Sequence, residues 1–360
     1  MKNKKHYFYY LIYPLAILFI FNISNLSANE LENLSLYTLK NFYGENNDGL
    51  ASFNSVNNKL TLYKGGKNNN LEIKATSTLP QALSNLCVYN ENNEKKLILA
   101  LGLERGKLDA PIKIFLTDKN LSTSKLIYET KSERSDISFL RQVDSDIYVN
   151  YFYSRFYSVF GKLTKVTDDK WDFFEIQKVR LGMNVDMDSD NNNVVFARPY
   201  KDEENNLSEV ILLNKDKKLI ELPSFRGARS VAFFDINNDK KQEILIADGW
   251  HQDYGKLAEN RLSIISFNEK TKKYDLKLIA NQKGQPSFEK IIPFSKNNKN
   301  YILTVGEKFI DLFEPQNNWK KTRIKEKQGE FGQILDAAVA KFNNKVKIAI
   351  FDEKLEINDI

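Results

Sequence analysis

The chain repeats itself, and the repeat leaves few folds open. "YNENNEKKLILALG" (Tyr89 to Gly102) aligns with "FDINNDKKQEILIADG" (Phe234 to Gly249) across a two-residue gap, and "GKL" follows in both, at Gly106 to Leu108 and Gly255 to Leu257. An alternating strand comes next in each, "IKIFL" and "RLSIISF". Weaker copies of the unit (strand, polar turn, more apolar strand) start at Gly49, Ser138, Met183, Phe288 and Ala337. Starts that recur mostly near every ~46 residues have the period of four-stranded propeller blades.

The second strand of each pair is apolar on both faces, as in "LILA" (Leu97 to Ala100) and "ILIA" (Ile244 to Ala247), which suits strands buried between neighbouring blades. Outer segments such as "LIYET" (Leu126 to Thr130) and "YDLKLIA" (Tyr274 to Ala280) alternate instead. No helical period of useful length occurs beyond residue 28. The chain therefore reads as all-β, a single β-propeller over residues 29–360 with seven four-stranded blades. The last repeat runs out after three strands, and "NLSLYTLKNF" near the N-terminus is a spare strand. It is expected to complete the last blade and close the ring, which removes exposed sheet edges.

Residues 1–28 read as a secretory signal peptide, with Lys2, Lys4 and Lys5 ahead of an apolar run and Ala28 at a cleavage point. The mature protein is expected to be secreted or periplasmic, or tethered by its N-terminus if the signal stays. Removal takes three of 53 basic residues and no acid, so the net charge falls from +6 to +3. No concentrated basic stripe remains for nucleic acid. The single cysteine, Cys87, excludes a disulfide framework, and His251 is the one histidine outside the signal, which excludes multi-histidine zinc sites.

Asp235, Asn237, Asp239 and Glu243, followed by "ILIADG", resemble the FG-GAP and VCBS repeat superfamily, whose pattern is Asp-x-(Asp/Asn)-x-Asp-Gly-x-x-Asp before an apolar strand. Integrin alpha-subunit heads and many secreted bacterial proteins belong to it. Lys240 stands where the pattern has glycine. A weaker copy keeps Asp186, Asp188 and Asp190 with Val194 at the ninth position, and another has decayed to Asn90, Asn92 and Glu94. The resemblance implies Ca2+ in the loop between a blade's first and second strands, in a structural role. Oxygen ligands at alternate positions of a tight loop suit a hard cation. The same residues also populate any polar β-turn, because Asp and Asn hydrogen-bond their own backbone and tolerate left-handed conformations.

Loops between second and third strands open on the opposite face, around the channel mouth. They carry Arg105, Arg155, Arg198, Trp250, His251, Asp253, Tyr254 and Arg261. Aromatic and Arg side chains there suit a protein or glycan partner. The expectation is a non-catalytic binding scaffold. The alternative is a polysaccharide lyase or hydrolase built on His251, Tyr254, Arg198 and Arg261. No Gly-x-Ser-x-Gly elbow or phosphate loop is present, and a quinone-dependent dehydrogenase lacks its recurrent tryptophans in a chain with three Trp.

Overall fold

The computed structural model describes residues 34–360 except 67–69, 103–110, 131–136, 155–156, 181–184, 191–192, 199–208, 217, 226, 249–258, 284–287, 307, 328–333, 335, 353–354 and 360. For 34, 152–154, 157, 179–180, 209, 259–260 and 283 it describes the backbone alone.

Seven antiparallel sheets follow one another along the chain, each strand pairing with its sequence neighbour. Blade one holds β1 (Leu34–Leu39), β2 (Gly49–Asn54), β3 (Lys59–Gly65) and β4 (Leu71–Thr78). Blade two holds β5 (Leu83–Glu91), β6 (Glu94–Leu101), β7 (Lys113–Thr117) and β8 (Ser124–Glu129). Blade three holds β9 (Ile137–Val143), β10 (Asp146–Ser154), β11 (Tyr157–Lys165) and β12 (Trp171–Arg180). Blade four holds β13 (Asp186–Ser189), β14 (Val194–Arg198), β15 (Glu209–Leu213) and β16 (Leu219–Leu222). Blade five holds β17 (Ser230–Phe234), β18 (Glu243–Asp248), β19 (Glu259–Asn268) and β20 (Lys273–Lys283). Blade six holds β21 (Phe288–Lys296), β22 (Lys299–Gly306), β23 (Phe309–Glu314) and β24 (Lys320–Glu326), with a short 3-10 turn at Pro315–Asn317. Blade seven holds β25 (Asp336–Phe342), β26 (Lys345–Phe351) and β27 (Leu355–Asp359). The first strands touch in a closed cycle, β1 to β5 and on through β9, β13, β17, β21 and β25 back to β1. The molecule is a seven-bladed β-propeller. Among the described residues no helix is long and apolar enough to cross a membrane.

One expectation is corrected. β1 does not complete the last blade; it pairs with β2, Leu34 opposite Asn54 and Leu39 opposite Gly49, as the inner strand of blade one. Leu36 and Leu39 explain the choice, since each is 1% exposed and an outer strand could not bury both. The segment from Gly49, matched by sequence to a first hairpin, is the β2–β3 hairpin, so the blade-one register was off by one strand. Six blades have four strands and the seventh has three among the described residues.

The core is divided into seven apolar clusters, one at each blade junction. Leu36 and Leu50 of blade one meet Ala338, Ala340, Phe342, Ala349 and Phe351 of blade seven. At the junction of blades three and four, Phe160 stacks between Tyr148 and Phe196, ring centres 5.7 Å and 5.0 Å away. This division is why second strands are apolar on both faces: all six residues of β2 and all five of β14 are buried. Asparagine has a backbone role in the turns. The two-residue hairpins Asn92-Asn93, Asn297-Asn298 and Asn343-Asn344 all have both residues at positive φ, between 49° and 66°. That is the type I′ geometry which matches strand twist.

The seam between blades seven and one is built from small residues. A Cβ on Gly65 would sit 2.5 Å from Phe342 Cβ and 3.0 Å from its Cγ. Gly65→Ala is therefore expected to destabilise the fold by about 1–3 kcal/mol through overpacking. Urea unfolding measures it; an unchanged midpoint would show that the seam is looser than described.

Candidate functional site

Adjacent first strands do not pair as backbone ladders, so side chains must satisfy the groups between them. Asp186, first residue of β13, accepts from Val231 N (3.1 Å) and Ser230 Oγ (2.6 Å) of blade five. Asp188 accepts from Phe233 N at 2.9 Å. Ser230 in turn accepts from Ile291 N of blade six at 3.1 Å. Lys290 donates to Ala337 O at 3.0 Å and to Asp336 at 3.2 Å, and Asp336 accepts from Leu36 N of blade one at 2.8 Å. Thr38 donates to Val339 O across the same seam at 2.8 Å. Arg229 Nε donates to Glu289 Oε2 at 2.7 Å, with Nη2 2.7 Å from the same oxygen, between the starts of β17 and β21. Asp186, Arg229, Glu289, Lys290 and Asp336 thus make a rim of charges that alternate in sign at one end of the channel.

This is the face onto which the second-to-third-strand loops open. Arg105, Arg155, Trp250, His251, Asp253 and Tyr254 lie outside the described residues. Arg261 is buried, pairs with the fully buried Asp248 and lies over the Phe225 ring at 5.0 Å. Arg198 is 5% exposed. Strand alternation puts it on the face of Phe196, toward blade three, whereas Asp248 and Arg261 share the face of Ile246 and Ile265, toward blade four. The structure therefore sets Arg198 and Arg261 in different junctions.

On the opposite face, the loop from Asp235 to Gln242 is folded around its own acids. Asp235 accepts from Asp239 N (3.0 Å) and Lys240 N (2.8 Å), and Asp239 accepts from Lys241 N (2.8 Å). Asn237 Oδ1 accepts from Asp239 N at 2.9 Å, and Glu243 accepts from Ile236 N at 2.9 Å. Lys240 adopts φ 70°, the left-handed conformation that the missing glycine would take without strain. Burial pushes the Glu243 carboxyl up, and the nearby charges of Asp239 and Asp235 push it further, against the bond from Ile236. The donor types suit a hard cation, and each oxygen that accepts one N–H keeps a second lone pair. Among the described residues no three acids are gathered on one point.

Asp186, Asp188 and Asp190 are arranged differently. The first two are strand residues committed to blade five, and Asp190 accepts from Asn193 N at 2.7 Å in the turn. Asn300 of β22 was not singled out by sequence. It is 1% exposed, and its amide lies 2.8 Å from Asp235 O and 3.1 Å from Ile236 O, tying the acidic loop to blade six. In sequence it sits among "KNNKN" and looks like one more turn residue; its burial is what distinguishes it.

No family model matches the sequence, and no curated protein does. Solved structures are similar in fold. A chain of the COPII outer coat vertex on membranes matches with a TM-score of 0.56 and 11% identity, over 91% of this chain and 84% of that one. A chain of the S. cerevisiae complex of Dbp5 bound to Nup159, Gle1, IP6 and ADP matches with a TM-score of 0.51 and 10% identity, over 92% and 90%. At these identities the likeness is one of fold.

The raised Glu243 carboxyl sets a pH dependence. A carboxyl held above its ordinary 4.5 in the folded state contributes stability that is full below that value and is lost as pH rises through the raised one. In chelator, Glu243→Gln keeps an acceptor for Ile236 N and is expected to melt above wild type at neutral pH. The two should converge once the pH falls below the ordinary carboxylate range. A constant difference in melting temperature at every pH would refute the assignment.

Proposed function

We propose that this protein is a secreted or periplasmic propeller of the FG-GAP and VCBS kind, acting as a non-catalytic scaffold that binds a protein or glycan at the channel mouth. The observation that carries the reading is the use made of the rim. Asp186, Ser230, Lys290 and Asp336 spend their polar atoms holding first strands to one another. Arg261 is likewise closed against Asp248 and Phe225. A rim committed to structure supplies a rigid frame, and recognition falls to the loops mounted on it. Arg105, Arg155, Trp250, His251, Asp253 and Tyr254 are the residues assigned to contact the partner.

Calcium has the role of a staple in this reading. Asp235, Asn237, Asp239 and Glu243 would hold it, and the ion would neutralise the mutual repulsion that raises Glu243. It would shape the blade-five turn without taking part in any reaction.

Two measurements test the two halves. Ion binding to the folded form alone must raise its stability. Melting in millimolar calcium should therefore exceed melting in chelator, and Glu243→Gln should erase the difference; identical melts would end the calcium assignment. For the mouth, the secreted chain is screened on a glycan array and by cross-linking to envelope proteins. Trp250→Ala with Tyr254→Ala should weaken the hit at least about tenfold. Undiminished capture by the double variant would move the binding surface elsewhere.

A further inference from the structure

We propose that the cleft between blades five and six, on the face of the acidic loop, binds a single neutral sugar ring. The cleft encloses about 390 Å³, near the lower end of small-molecule sites, about 300–1,000 Å³. Ile264 and Ser266 of β19, Lys277 of β20, Asn237 and Glu243 of the loop, and Trp319 after the 3-10 turn line this open cleft. The site stands on the face opposite the channel mouth and goes beyond the reading given above for that mouth.

Three features select the ligand. The first is Trp319, a half-buried ring at φ 58° directly after Asn318 at φ 50°. A left-handed backbone is strained for a bulky residue, so the chain gives up stability to hold an indole where glycine would be unstrained. Such a ring offers a flat apolar surface to the C–H face of a pyranose.

The second is the supply of uncommitted polar groups. Among the described residues, the Lys277 ammonium, the Ser266 hydroxyl and the Trp319 ring N–H make no hydrogen bond or ion pair, and all three line one cleft. Opposite them stand the Glu243 carboxylate and the Asn237 amide. Sugar hydroxyls both donate and accept, so a mixed set of this kind can be satisfied by one ring.

The third is charge. Glu243 lines the cleft and belongs to a loop that also carries Asp235 and Asp239, with Lys277 as the cation in the lining. In chelator, with no ion in the loop, a second anion would meet its three carboxylates, so a uronate is disfavoured there and a neutral ring fits.

The test is titration of the full chain with D-glucose, D-galactose, D-mannose, L-fucose and N-acetyl-D-glucosamine by saturation-transfer NMR and calorimetry, with D-glucuronate alongside. At least one neutral sugar should bind with a Kd of about 1–10 mM and outcompete glucuronate. Trp319→Ala should weaken it at least about tenfold. Ser266→Trp leaves Trp319 in place and fills the cleft from an exposed strand position, so it should abolish binding; it decides the matter if Trp319→Ala fails to fold. Cleft variants that lose sugar yet keep the partner at the mouth separate this site from that one. Absence of binding by all five sugars, glucuronate as the preferred ligand, or undiminished binding by Ser266→Trp would overturn the proposal.

Discussion

Everything in this ring depends on how seven first strands are joined where no backbone ladder joins them. A strand edge left bare costs buried N–H and C=O groups their partners and invites foreign strands. Here each junction is crossed by a side chain that bonds a neighbour's backbone. Lys95 reaches Asn41 O, Asn85 reaches Ser138 O, Arg141 reaches Met187 O, and the series continues through Asp188, Ser230, Lys290 and Asp336. Three of the seven involve a Lys or Arg cation and two an Asp carboxylate. Charge-assisted bonds are the stronger kind. The apolar clusters behind them supply the bulk of the burial, and the polar bridges set the spacing at which those clusters mesh.

The fold was legible because burial in a propeller is periodic. β6 and β18 are apolar on both faces since both faces meet a neighbouring blade, and that pattern survives in the sequence when most of the turn acids have gone. The place of β1 was not legible. Pairing partners are separated by the nine-residue segment 40–48, whose conformation rests on Asp48 accepting from Asn41 N and from Lys341 N of the last blade. The second of those contacts joins residues almost three hundred positions apart. No local period can report them, whereas the Asn-Asn hairpin turns are visible as adjacent letters.

The acids show the same limit at the scale of a site. Asp186, Asp188 and Asp190 share the alternate spacing of Asp235, Asn237 and Asp239, and spacing alone cannot tell a loop from a strand. Three acids two apart converge when the chain curls, and lie along one face when it extends. In blade four the chain extends, and burial raises the Asp188 carboxyl while the nearby Arg141 charge pulls it down. In blade five it curls, with Asn238 and Lys240 at positive φ making the bend. The deciding difference is the length of the turn, four residues after Ser189 and eight after Phe234.

A division of labour between the two faces follows from this construction. At the channel mouth the inner rim is consumed by Asp186, Arg229, Glu289, Lys290 and Asp336 bonding to one another's strands, so chemistry there can come from loops alone. On the other face the first turns of blades two, three, six and seven are two residues long, too short to carry a site, whereas blade one has nine residues there and blade five eight, and blade six carries Pro315–Asn317 before Trp319. The blade-five loop and the blade-six turn are neighbours, and Asn300 and Gln316 bind the one to the blade that carries the other. Loop and turn thus form one joint between blades five and six, and that joint carries residues that line the cleft, Asn237, Gln316 and Trp319 among them.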